Sequence, residues 1–151
     1  MFKNLLPICL ILLSALTLNL KAQENEGDSV VGLWLTGNKD AKVEIYKNGD
    51  KYDGKIVWLK TPLNEEGQPK LDKENPEEEL QTRPILGLQL LKDFEYDEDF
   101  EWEDGEIYDP KSGKTYSCNM ELLEDKKTLE VRGYIGISLL GRTQTWERVT
   151  E

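Results

Sequence analysis

From Val30 onward, apolar and polar positions alternate in short runs broken by turn residues. In 41–47, Ala41, Val43 and Ile45 fall on one face, and Lys42, Glu44 and Tyr46 on the other. Asn48-Gly49-Asp50 reverses the chain. The run 52–60 then returns with Tyr52, Gly54, Ile56 and Trp58 on one side. Further runs cover 30–36, 85–91, 105–108, 114–123, 129–135 and 142–150, and in 114–123 Tyr116, Cys118, Met120 and Leu122 share a face. A period of two marks half-buried strands. No stripe with helical spacing outlasts two turns. The best helix candidate is 76–80, with Asn75 as its cap and Pro76 in the first helical position. Eight to nine regularly spaced strands predict an all-β domain over 30–150: a single antiparallel up-and-down β-barrel, with a sandwich as the alternative. A barrel of about eight strands is just wide enough to hold one small ligand or to be filled by its own side chains.

The residues before this domain follow a different pattern. Lys3 precedes an almost continuously apolar run from Leu5 to Leu18, and Leu20-Lys21-Ala22 offers a cleavage site. This predicts a secretory signal peptide over 1–22 and a periplasmic or extracellular destination. The run is short for a membrane span, and Lys21 interrupts it. Cys9 lacks the preceding small residue of a lipoprotein signal. Residues 23–29 are polar and predict a flexible tail. The processed chain would hold 129 residues, 17 basic and 30 acidic, for a net charge of −13 against −11 for the whole sequence.

Composition narrows the chemistry. Histidine is absent, which removes Ser-His-Asp and Cys-His catalysis and His-ligated metals. Cys118 would be the one remaining cysteine, read as a buried, inert thiol. The acidic excess disfavours nucleic acid and anionic lipid as general partners, because the long-range field repels both. Charged residues opposite the apolar faces, such as Lys42, Glu44 and Lys55, argue against stable insertion as an outer-membrane barrel. Nine acids in Asp93–Glu106 raise a calcium site at Asp97, Asp99 and Glu101, but Trp102 stands where a calcium loop needs glycine. The segment reads instead as a strand hairpin with a solvated acidic face. Among 30 acids no spacing singles out a general acid–base pair, Asp72 with Asp109 being the best available. No enzyme, metal or cofactor is predicted.

Candidate ligand-binding residues are the polar Arg132, Tyr134, Arg142 and Gln144 with the apolar Trp58, Tyr116, Met120 and Trp146. An apolar cavity with one or two arginines suits an amphipathic acid, whose carboxylate takes the guanidinium. A filled interior is the simpler reading of the same residues. The longest irregular stretch, 61–84, holds Asp72, Asn75 and Arg83 as loop candidates. Local turns and an Arg–carboxylate pair are the simpler account of those three. Two functions stay open: an exported barrel binding a small apolar or amphipathic ligand, or a cell-envelope protein-interaction module without a cavity, its contact surface the long loop and the acidic hairpin and its partner undefined.

Gly32-Leu33-Trp34 in the first strand, with Arg142, Trp146 and Arg148 in the last, resembles the lipocalin and fatty-acid-binding-protein superfamily (calycins). That resemblance implies a Trp–Arg contact closing one end of the barrel. Further motifs are Gly54-Lys55-Ile56-Val57-Trp58-Leu59, Asp72-x-x-Asn75-Pro76, Arg83-Pro84-x-x-Gly87, Ile107-Tyr108-Asp109-Pro110-x-x-Gly113-Lys114-x-Tyr116, Gly133-Tyr134-Ile135-Gly136 and Gly141-Arg142-x-x-x-Trp146-x-Arg148. Together they are similar to a family of exported bacterial proteins known only as domain of unknown function 2147, over about 30–150. The resemblance implies a lipocalin-like barrel and no established activity. Many relatives carry a cysteine pair flanking the first hairpin. This chain has Asn48 and Asp53 there, so that disulfide does not carry over.

Overall fold

The computed structural model describes residues 25–150, so the predicted signal peptide lies outside the described residues. Eight antiparallel strands follow one another in ring order: β1 Gly32–Leu35, β2 Ala41–Asn48, β3 Lys51–Leu59, β4 Gln89–Tyr96, β5 Glu101–Asp109, β6 Lys114–Leu122, β7 Thr128–Tyr134 and β8 Arg142–Arg148. β8 pairs with β1, through Trp34–Arg148 and Leu35–Glu147, and closes the barrel. Closure leaves no strand edge to pair with another chain. The helix candidate at 76–80 is reduced to one 3-10 turn, Glu78–Leu80.

The alternation predicts most inward faces correctly because one face of each strand must leave water. Val43 and Ile45 on β2, Cys118 and Met120 on β6, and Leu129 and Val131 on β7 are buried. Four register shifts break the period, one on β3, two on β4 and one on β5, and three of them re-aim side chains. On β3, Val43 pairs with Ile56 and Lys42 with Trp58, so Val57 is the extra residue. On β4, Leu91 and Phe94 both point inward, three apart, around Asp93 at φ 63°. On β5, Trp102 and Gly105 do the same around Asp104 at φ 54°. Each bulge bends its strand and tightens the twist, which a small closed barrel requires.

One end is sealed. Trp34, Trp102, Phe94, Tyr52 and Met120 fill it, with Tyr52 and Trp102 edge to face at 6.4 Å. Of the residues 23–29 predicted as a flexible tail, Glu26 to Ser29 instead join Val30 in a 3-10 turn, Glu26–Val30, docked beneath these rings. The reason is hydrogen-bond satisfaction: buried indole N–H groups need acceptors. Trp34 Nε1 donates to the Val30 carbonyl at 2.9 Å and Trp102 Nε1 to the Gly27 carbonyl at 3.2 Å. Tyr52 adds a 2.6 Å bond from its hydroxyl to Asp28.

Arg148 completes the seal. Its guanidinium lies 4.2 Å from the Trp34 ring centroid and donates to the carbonyls of Ser29, Val31 and Lys126. Gly32 sits at φ 141°, and a Cβ there would stand 2.9 Å from an Arg148 nitrogen. The Gly-x-Trp motif thus supplies a ring to cover and the bare backbone that lets the arginine reach it.

Candidate functional site

The other end is open. A cavity of about 920 Å³ runs from the mouth to the Trp146 indole. It exists because inward side chains shrink toward the mouth. On β2 the series is Ile45, Val43, Ala41, and on β7 it is Leu129, Val131, Gly133. On β8 the inward series turns polar, from Trp146 through Gln144 to Arg142. The interior is therefore filled in its lower half and open in its upper half, rather than filled throughout.

The walls are apolar: Ile56, Leu59, Ile85, Leu90, Ile107 and Val131, with Tyr116 added from β6. Gln144 accepts a 3.2 Å bond from Trp146 Nε1. Arg142 pairs in register with Gly133, which leaves the guanidinium room, and it makes no hydrogen bond or ion pair among the described residues. Lys70 lines the same space from the long loop.

Asp40 and Lys111 come from the β1–β2 and β5–β6 corners, on opposite sides of an eight-strand ring. Their 2.9 Å ion pair bridges the mouth. Burial raises the Asp40 pKa, but hydrogen bonds from Lys111 and Thr36 outweigh it and hold the carboxyl below its usual value.

Of the predicted ligand-binding residues, Tyr116, Arg142, Gln144 and Trp146 come together in the cavity. Tyr134 borders the mouth, with its hydroxyl directed to Asn119 Oδ1 at 3.4 Å. Three others are misplaced by the sequence reading. Trp58 is on the outer surface, 40% exposed under the Lys42 ammonium, because the Val57 bulge reverses the alternation; Leu59 takes the inward place. Arg132 also faces out, since Val131 and Gly133 hold the inward positions of β7; it donates to Ser138 O and Thr143 Oγ1. Met120 is inward but belongs to the filled half, 2% exposed between Trp102 and Val131. Leu59, Lys70, Ile107 and Gly133 were missed. The size gradient along β2 and β7 was the available signal, legible once the inward parity of each strand is known.

The loop candidates form a site of their own, off the cavity wall. Asp72 is fully buried. Its Oδ2 accepts from Arg83 Nε, Arg83 Nη2 and Asn75 Nδ2, each at 2.9 Å, and its Oδ1 accepts from the Tyr108 hydroxyl at 2.6 Å. Asn75 Oδ1 caps the Glu77 amide. Burial and the Asp72 carboxylate push the Tyr108 phenol up to about 12. Gly113, at φ 70°, lies directly against the Glu74 carbonyl, where no Cβ fits. Three separate motifs thus meet at one knot that pins the 60–88 connection to the β5–β6 hairpin. Asp109 is not part of it and accepts bonds from Lys111 and Ser112 in its own turn.

Cys118 is fully buried between strands, and burial pushes its thiol up to about 12. Asn48 and Asp53 form a 2.7 Å side-chain hydrogen bond, and Asp53 also caps the Asp93 amide at the β4 bulge. Asp97, Asp99 and Glu101 lie at the β4–β5 tip, and among the described residues no cluster of three acidic or sulfur ligands is arranged to hold a metal.

A closed, eight-stranded barrel with an apolar cavity defines a lipocalin-like protein. The chain belongs to the family described as "uncharacterized protein conserved in bacteria" (DUF2147), whose profile matches residues 32–148. Among solved structures it is similar to protein HP1028 from Helicobacter pylori, reported as a lipocalin-family member, with a TM-score of 0.68 and 23% identity over 80% of this chain and 83% of that one. No curated protein matches it in sequence.

Proposed function

We propose that this barrel binds a small amphipathic acid, with its apolar tail against Ile56, Val131 and Trp146 and its carboxylate at Arg142. The observation that carries this is the open upper half of the barrel. Its volume of about 920 Å³ falls within the range of small-molecule sites, and its one guanidinium, that of Arg142 at the mouth end of β8, has no protein partner among the described residues. A guanidinium without a counter-ion beside an apolar wall favours an anion with a hydrocarbon body. Lys70 offers a second positive charge at the rim. The apolar N-terminal run extends the proposal to an exported carrier acting in the periplasm or outside the cell.

Displacement of a fluorescent fatty acid, with native mass spectrometry of the purified protein, tests the reading. Binding should be stoichiometric. Arg142→Gln should weaken a fatty acid by roughly tenfold, the worth of one charge-assisted hydrogen bond, and leave the matching alcohol nearly unchanged. The proposal fails if no ligand copurifies and no fluorescent fatty acid binds. Equal loss for acid and alcohol would remove the carboxylate assignment.

A further inference from the structure

We propose that the β7–β8 loop, residues 135–140, docks the barrel mouth-first on an anionic phospholipid surface. Ile135, Ile137, Leu139 and Leu140 are 71%, 59%, 83% and 78% exposed. Single exposed apolar residues are common and mean little, but four within six positions at one loop tip form a patch. The patch adjoins the opening, since Ile135 and Leu140 also line the cavity mouth. The loop has a built shape. Gly136 turns the chain at φ 78°, Ser138–Leu140 forms a 3-10 turn, and Arg132 Nε holds the Ser138 carbonyl at 2.7 Å.

Charge selects the occupant. The chain carries 30 acids, yet none falls between Val131 and Trp146, where the charged residues are Arg132 and Arg142. Apolar tips above the outward-facing Arg132 are the pattern of interfacial insertion: the loop side chains enter the acyl boundary and the guanidinium that braces the loop through Ser138 and Thr143 lies at phosphate depth, while Arg142 faces the cavity. A second copy would set Arg132 against its own image, whereas a bilayer offers apolar chains and anions together. The acidic β4–β5 tip lies at the sealed end, a strand length of roughly 20 Å away, beyond the screening length of about 8 Å. The 60–88 connection leaves from β3 and β4, opposite β7 and β8, and is pinned to the β5–β6 hairpin, where Asp72 is buried and paired with Arg83. Of the acids at the mouth, Asp40 is paired with Lys111 and Asp109 is bonded within its own turn. Docking needs no occupant in the cavity, so it stands or falls separately from the ligand reading.

A local probe on the full chain tests this. In a Cys9→Ser background, Leu139→Cys is labelled with an environment-sensitive fluorophore, and Glu98→Cys at the sealed end is the control. Cys118 is buried and takes no label. Vesicles of phosphatidylethanolamine with phosphatidylglycerol should blue-shift and brighten the 139 probe several-fold and leave the 98 probe unchanged. Leu139→Glu with Leu140→Glu, checked for native melting, should cut vesicle affinity about tenfold or more. An unchanged 139 probe overturns the proposal, as does an equal response at both sites. An equal response to pure phosphatidylcholine overturns the anionic assignment. A 139 shift that rises with protein concentration without vesicles makes the loop a contact between copies instead.

Discussion

Arg142 and Arg148 lie six residues apart on the same inward face of β8, and their surroundings give them opposite tasks. Arg148 is enclosed by three backbone carbonyls and the Trp34 ring, so its charge is spent on closing the barrel. Arg142 faces space left by Gly133, so its charge is available to something that enters. Arg148→Met keeps the apolar stem but leaves those carbonyls without their donor. It should cost about 3 kcal/mol, within the range for hydrogen bonds to a charged group plus a covered cation–π contact. Urea denaturation measures this; a loss under about 0.5 kcal/mol, the size of an ordinary surface change, would show that the seal rests on packing alone. The motif spacing pointed to a Trp–Arg contact from the sequence. Which arginine makes it depended on the register of β1 with β8.

At the scale of elements, alternation was legible wherever strands ran without interruption, as on β2 and β6. It failed where a bulge was inserted, because one extra residue reverses inside and outside beyond it. Trp58 is the clearest case: nothing in Ile56-Val57-Trp58 marks Val57 as surplus, and only pairing with β2 decides it. The long connection between β3 and β4 looked like the most functional loop by length. Its Asp72, Asn75 and Arg83 follow the simpler account, an Arg–carboxylate pair with a local turn, and with Tyr108 they hold the loop down. The Asp40–Lys111 bridge has a different consequence. Both side chains are well exposed, and exposed pairs contribute at most about 1 kcal/mol. Lys111→Ala should therefore leave stability and ligand affinity nearly unchanged while speeding ligand entry and exit by up to about fivefold. Stopped-flow binding of a fluorescent fatty acid reads this directly; unaltered rates would show that ligands pass beside the bridge rather than under it.

For the whole molecule, the shifted groups act at the two ends of the pH scale. Asp28, Asp40 and Asp125 have lowered values in the fold. Their stabilisation is present above the unfolded carboxyl value of 3.8 and is lost as pH falls through the folded values. Tyr52, Tyr108 and Cys118 are raised, chiefly by burial. They favour the fold fully below their unfolded values, and that contribution is lost as pH rises: from 9.0 for the thiol and 10.0 for the phenols, with Tyr108 and Cys118 complete near 12. Melting temperature should thus fall steeply above about pH 9 to 10 and again below about pH 3.8. Tyr108→Phe should soften the alkaline fall; an alkaline limb identical to that of the parent protein would show that the phenol is not coupled to folding.

The sequence by itself determined an all-β class of eight to nine strands, most inward faces and the arginine-bearing last strand. These follow from a period of two and from turn residues, which are local properties of the chain. Only the tertiary structure decided that the barrel is half filled and half open, that Arg142 is free while Arg148 is not, and that three distant motifs tie one loop down. Those outcomes depend on register, bulges and the meeting of residues far apart in sequence. Cavity volume in particular is a difference between enclosed space and side-chain volume, and it is set only when all eight strands close together.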